Sequence, residues 1–230
     1  MSTQRIFHLI SLLAGLTVLA VTLSGTMKIT AQPCGGLVRG YAPIMAFELA
    51  RSTSDIQKIF GDQPGTCRTA MQTDMDRVNR LDNILFIPAY GAFLFFFFLG
   101  MRNRGRELSR NGAVIAVIAC LADYLENMCL FHLSSAPDNS RQWISTLSIT
   151  TEVKWIGLGI AGILAGLLIA RSRTIASRIG QLVCNFGIVF TLLSVFVPAW
   201  AALFMVPAIA LGWIVMLIVN TNRVLRPAAA

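Results

Sequence analysis

Long apolar stretches separated by short polar breaks set the plan of this chain. Six of them approach the roughly 20 residues that a helix needs to cross a hydrocarbon core of about 30 Å. They run from Ile6 to Met27, Leu81 to Gly100, Gly112 to His132, Ser148 to Ala170, Ile179 to Val197 and Ala201 to Val219. The pattern predicts an all-α integral membrane helix bundle with six transmembrane helices, forming one membrane domain over residues 1–230. Only residues 28–80 make a break too long for a plain connector. Within it Met45, Leu49, Ile56, Ile59 and Phe60 recur at helical spacing, with Glu48, Arg51, Asp55 and Lys58 on the other faces, so an amphipathic helix is expected there. A helix lying on the membrane surface or over the bundle is the plainer reading, and a lid over a cavity between the spans the sharper one.

The third apolar stretch is not uniform. Its middle reads Ala122, Asp123, Tyr124, Leu125, Glu126, Asn127, with two carboxyl groups one helical turn apart. A charged side chain near the bilayer centre costs about 2.5–3.5 kcal/mol, so such groups face a protein interior or a wet cavity and have a partner. Asp123, Glu126, Asn127 and Leu130 share a face by their three- and four-residue spacing, with Cys120 one turn away. Counting along each span from the same membrane surface at 1.5 Å per residue places Glu126 and Lys154 about 8–10 Å deep and Asp123 and Tyr90 about 12–14 Å deep. Asp82, His132 and Glu152 fall near the mouth. On the second span Asp82, Phe86 and Tyr90 form a stripe, and Pro88 offers a kink that frees a backbone carbonyl. Lys154 is the natural counter-ion. A Glu126–Lys154 pair, supported by Asn127 and by Asp123 with Tyr90, avoids a bare charge in hydrocarbon. Plainer uses exist for each group: Lys154 can snorkel to the headgroups, Asp82 can cap its helix, and Glu126 with Asn127 can bond neighbouring helices.

Composition agrees with the hydropathy pattern, since 55% of residues are hydrophobic and 13% charged and the mean hydropathy is +0.67. The net charge of +8 is gathered beside the spans, which excludes a nucleic-acid partner, because a nucleic-acid surface needs its basic groups along one soluble face. Arg102, Arg104, Arg106 and Arg110 follow the second span, Arg171, Arg173 and Arg178 the fourth, and Arg223 and Arg226 the sixth. By parity these clusters share one side, and the positive-inside rule places that side, with the N and C termini, in the cytoplasm of a cell with an inner membrane. Residues 28–80, 132–147 and the tight turn around Pro198 then face outward, making the loop helix extracytoplasmic. The first span has a rival reading as a cleaved signal peptide, with one Arg before the apolar core and small residues at Ser24 and Gly25. Its apolar run is long for that role, no small-x-small site follows, and Ala31, Gln32 and Pro33 before Cys34 make no lipoprotein box, so an uncleaved anchor is preferred. Cys34 and Cys67 share the outward segment while the other three cysteines lie in spans, so a Cys34–Cys67 disulfide is expected.

Motifs for known chemistries are missing: no phosphate loop, zinc-protease helix, haem-attachment motif or nucleophilic triad can be assembled. His8 and His132 lie near opposite membrane faces, so no metal site and no cofactor are expected. Gly157, Ala161, Gly162, Ala165 and Gly166 give the fourth span small faces for close helix packing, and Pro207 is expected to bend the sixth. The pattern Phe47-Glu48-Leu49-Ala50, then Leu81-Asp82 with Phe86 and Tyr90, then Asp123, Glu126 and Asn127, then Lys154, resembles one in a group of uncharacterised bacterial multi-pass membrane proteins. It covers about the first 170 residues; the group typically has four spans, so the hairpin from Ile179 to Val219 is an extension, and the resemblance carries no activity with it. The expectation is a site between the second, third and fourth spans that binds or transports a small cationic, protonatable or amphiphilic molecule. Asp123 and Glu126 are its acidic groups, Lys154 the counter-ion, Tyr90 and Asn127 orienting partners, and Asp82 an entrance residue. A membrane enzyme using Glu126 or Asp123 as general acid or base on a lipid or isoprenoid is the alternative. An accessory subunit with a structural polar network, serving a protein partner not identifiable from sequence, is a third. The bilayer and a small-molecule or lipid ligand are the partners expected in the first two.

Overall fold

A computed structural model describes residues 2–36, 38, 41–196 and 198–225, so Arg226 and the centre of the turn before Pro198 lie outside it. Among the described residues all regular structure is helical. Six helices are long and apolar enough to cross a membrane: Thr3–Leu23, Thr66–Gly100, Arg106–Ser135, Arg141–Ala170, Ile175–Leu193 and Leu203–Leu225. In helix order these are α1 (Thr3–Leu23), α4 (Thr66–Leu81) continuing into α5 (Ile87–Gly100), α6 (Arg106–Ser135), α7 (Arg141–Ala170), α8 (Ile175–Phe196) and α9 (Pro198–Leu225). The short α2 (Pro43–Glu48) and α3 (Thr53–Phe60) stand between α1 and α4.

The distribution of side chains is that of a membrane protein. On α6 Val114, Val117, Ile118, Leu121, Leu125 and Met128 are exposed at helical spacing, while Asp123, Glu126 and Asn127 are buried on the opposite side. Water would drive the reverse arrangement; lipid favours this one.

Packing divides the chain into two compact units: Met1–Ala20, Pro88–Cys120 and Trp155–Ala230 form one, Val21–Ile87 and Leu121–Lys154 the other. In the first unit the small residues of α7 let helices close up, as their spacing predicts. Any Cβ on Gly162 would stand 2.6 Å from the Cys184 carbonyl oxygen of α8, so this position admits no side chain without moving the helix. The ends of this unit are laced together. Arg5 donates to the Val224 carbonyl at 2.6 and 2.9 Å, Asn103 donates to Gln4 at 2.7 Å, and Arg171 donates to the Arg104 carbonyl. The start of α1, the end of α9 and the arginine turns after α5 and α7 are therefore at one end of the unit.

The second unit holds the long polar break. Cys34 and Cys67 form a disulfide, closing a loop whose restraint stabilises by about 3–4 kcal/mol in the chain-entropy model. The amphipathic stretch forms two helices rather than the single one expected, because Ser52 opens a new helix: its hydroxyl accepts from the Asp55 N–H at 3.1 Å and donates to the Asp55 carboxylate at 2.9 Å. That carboxylate also accepts from the Arg51 N–H at 3.0 Å. Ile56, Ile59 and Phe60 form the buried face of α3. It ends at Gly61, whose φ of +80° favours glycine and whose carbonyl accepts from Arg68 at 2.7 Å.

Helical structure runs unbroken from Thr66 to Gly100 through α4 and α5, whereas hydropathy alone places the helix start at Leu81. The added first half, with Arg68, Asp74, Asp76, Arg77 and Arg80, is too polar to lie in hydrocarbon. It runs antiparallel to the last turns of α6. Arg68 donates to Asp138 at 2.7 and 3.0 Å, Gln72 donates to the Ser134 carbonyl, and the Ser134 hydroxyl donates to Asp76 at 2.6 Å. Asp74 holds the chain after α1, accepting from the Thr30 hydroxyl and from the Thr30 and Ala31 N–H groups at 2.7–2.8 Å. These bonds, the Thr30 hydroxyl first, pull its carboxyl down to about 2.

Candidate functional site

Two helical turns beyond the Asp76–Ser134 bond the same antiparallel register brings Asn127 of α6 against residues 82 and 83. Its side-chain amide donates to the Asp82 carboxylate at 2.6 Å and to the Asn83 side-chain oxygen at 3.0 Å. The backbone here is a π turn, Asp82–Phe86, in which the Ile87 N–H reaches back to the Asp82 carbonyl instead of the Asn83 carbonyl. Asn83 would next look to residue 88, and Pro88 has no N–H. The Tyr124 hydroxyl supplies the missing donor, bonding the Asn83 carbonyl at 3.2 Å. The freed carbonyl expected near Pro88 is present, and the chain satisfies it with a residue three positions before Asn127.

The other side of the same α6 face meets α7. Lys154 is 5% exposed and Glu126 is fully buried. The ammonium contacts Glu126, lies 3.3 Å from Asp123 and 3.1 Å from Glu48. Thr151, one turn before Lys154, donates at 3.1 Å to Glu126 and lies 3.1 Å from the Glu48 carbonyl. Glu48 is the last residue of α2, so this short helix brings a third carboxyl to the cluster. The site thus consists of one ammonium, three carboxyls and a hydroxyl, with Asp82, Asn83 and Asn127 as a second polar group along α6.

Five of the six residues expected at the site, Asp82, Asp123, Glu126, Asn127 and Lys154, fall in this unit and in these contacts. Tyr90 belongs to the other unit, where its ring stacks on Trp213 with centroids 5.6 Å apart. Asp82 bonds Asn127 where an entrance role was expected, Glu152 pairs with Arg51 at 3.5 Å, and His132 stacks on Trp143 at 4.1 Å. Glu48, Thr151, Asn83 and Tyr124 were not singled out for the site from their chemistry. Thr151 had a usable signal, its three-residue spacing from Lys154; Glu48 appeared only on a polar face of the loop and in the resemblance pattern.

The donor set is wrong for a soft metal. Among the described residues no group of three or more His, Cys, Asp and Glu side chains is placed to hold a metal ion, and the carboxyls here already converge on an ammonium. Comparison of the chain with protein-family models, with curated proteins and with solved structures found no match.

Proposed function

We propose that this chain is a multi-pass inner-membrane protein whose Glu48–Asp123–Glu126–Lys154 cluster binds or transports a small cationic, protonatable or amphiphilic molecule. One observation carries the reading: three carboxyls meet a single buried ammonium. Charges about 4 Å apart interact by about 4 kcal/mol even at an effective dielectric constant of 20, so the charge state of three carboxyls gathered on one lysine responds to protons and to any cation brought among them. A carrier of protonatable molecules exchanges one for the other. On this reading α2 and α3 form a cover that gives the guest a way in without opening the bundle, because Glu48 is attached to it.

Sidedness follows from the same reading. The arginine turns after α5 and α7, the start of α1 and the end of α9 gather at one end of their unit, which the positive-inside rule assigns to the cytoplasm. The Cys34–Cys67 disulfide assigns residues 28–80 to the oxidising side, where such a bond persists.

A titration tests the proposal. The purified protein in neutral detergent is melted against a long-chain primary amine and against the alcohol of the same length. The amine is expected to raise the melting temperature saturably, the alcohol not, and D123N to abolish the effect. Equal effects of amine and alcohol, or none from either, overturn it. The Thr151 and Asn127 bonds, which lace α6 to its neighbours, favour a second reading in which the network is purely structural; that reading gains if D123N melts lower yet no amine ever binds.

A further inference from the structure

A surface cleft of about 540 Å³ opens beside α3, lined by Arg51, Thr53, Arg141, Ile144, Ser145 and Ser148 among others. We infer that this cleft is a binding site for a phosphate-class oxyanion carried on a small organic group.

Its lining has the chemistry of an anion receptor. Arg51 and Arg141 are among its lining residues and no carboxylate is, with Glu152 standing behind them 3.5 Å from Arg51; a guanidinium offers planar paired donors that match phosphate oxygens. Arg141 makes no ion pair with a carboxylate among the described residues. Arg51 is paired with Glu152, but at 3.5 Å and with the glutamate side chain 46% exposed, an arrangement worth at most about 1 kcal/mol and open to exchange for a better anion. Thr53 and Ser145 add hydroxyl groups, while the Ser148 hydroxyl donates to Glu152 at 3.4 Å. The cleft is also walled by Arg141, Ile144, Ser145 and Ser148, which share one face of the first two turns of α7.

Size sharpens the assignment. A cleft of about 540 Å³ is in the range that encloses organic ligands of some 300–1,000 Å³ and far exceeds a bare phosphate. Ile144 gives the remaining space an apolar wall. A phosphate ester or a phospholipid headgroup fits both the charge and the room. The inference stands apart from the proposal for Lys154, since no residue of that cluster lines the cleft.

The test uses the intact protein in neutral detergent and in nanodiscs of a zwitterionic lipid. Glycerol 3-phosphate is titrated in detergent, phosphatidic acid is doped into the nanodiscs, and melting temperature is followed in both. A saturable rise with glycerol 3-phosphate identifies a soluble ester site, and a saturable rise with phosphatidic acid alone identifies a headgroup site. In either arm R141Q should weaken binding at least tenfold, and R51Q with R141Q further, while R178Q, a change to an exposed arginine on α8, should leave it unchanged. The inference is overturned if neither probe saturates, if R141Q binds as well as the parent, or if R178Q weakens binding as much as R141Q.

Discussion

Lys154 is the residue on which the site turns. Replacing it with methionine leaves Glu48, Asp123 and Glu126 facing one another without their cation, and stranding buried charge in this way costs about 3–5 kcal/mol. K154M is expected to melt far below the parent in detergent. K154M with E126L should recover part of the loss, because the buried carboxyl goes with the ammonium. Strictly additive effects of the two changes would mean that the pair is not coupled. Asp74 gives a pH test at the same scale. Its folded pKa of about 2 lies below the ordinary aspartate value of about 3.9, so its bonds to Thr30 and Ala31 stabilise the fold above about pH 4 and are lost as pH falls through 2. D74N should therefore lower the melting temperature at neutral pH, by on the order of 2 kcal/mol of stability, and the gap from the parent should close at about pH 2. Glu126 and Lys154 were legible in the sequence because a charge inside an apolar span has few plain explanations. Glu48 was not, because it sits in a stretch where charge is common and only the fold carries it to Lys154.

Two elements decide what the helical pattern could and could not reveal. The stripe Asp82, Phe86, Tyr90 assumes 3.6 residues per turn, but the π turn at Asp82–Phe86 takes up about one residue more, close to 100° of rotation. The four-residue spacing of Asp82, Phe86 and Tyr90 therefore does not by itself put the three on one stripe. Removing that residue is a direct probe: deletion of Ile84, 78% exposed, should keep the helical circular dichroism yet shift Asp82 and Asn83 relative to α5, separating them from Asn127 and lowering the melting temperature. Unchanged stability would mean that the π turn positions nothing. The break between α2 and α3 was hidden for another reason, as the apolar spacing continues across it and the Ser52–Asp55 capping box is visible only to a reader looking for a helix start. S52A should cost about 0.5–2 kcal/mol and, by loosening the corner next to Arg51, weaken any ligand held at the cleft.

At the scale of the whole molecule, the six long helices were plain from hydropathy, while their extents were not, since the polar half of the Thr66–Gly100 helix is held by hydrogen bonds to neighbours rather than by lipid. Topology is open to direct measurement: reporter fusions after Arg110 and Arg178 should both read cytoplasm, and an external signal at either site would reverse the proposed sidedness. The Cys34–Cys67 bond has a temporal meaning as well. Thiols meet an oxidising environment only after their segment has been delivered across the membrane, and Cys67 opens the long helix that the rest of the chain follows. With the sidedness proposed above, the moment at which this bond appears in a pulse-labelled chain dates the export of the segment during synthesis, making the disulfide a clock for the protein's own insertion.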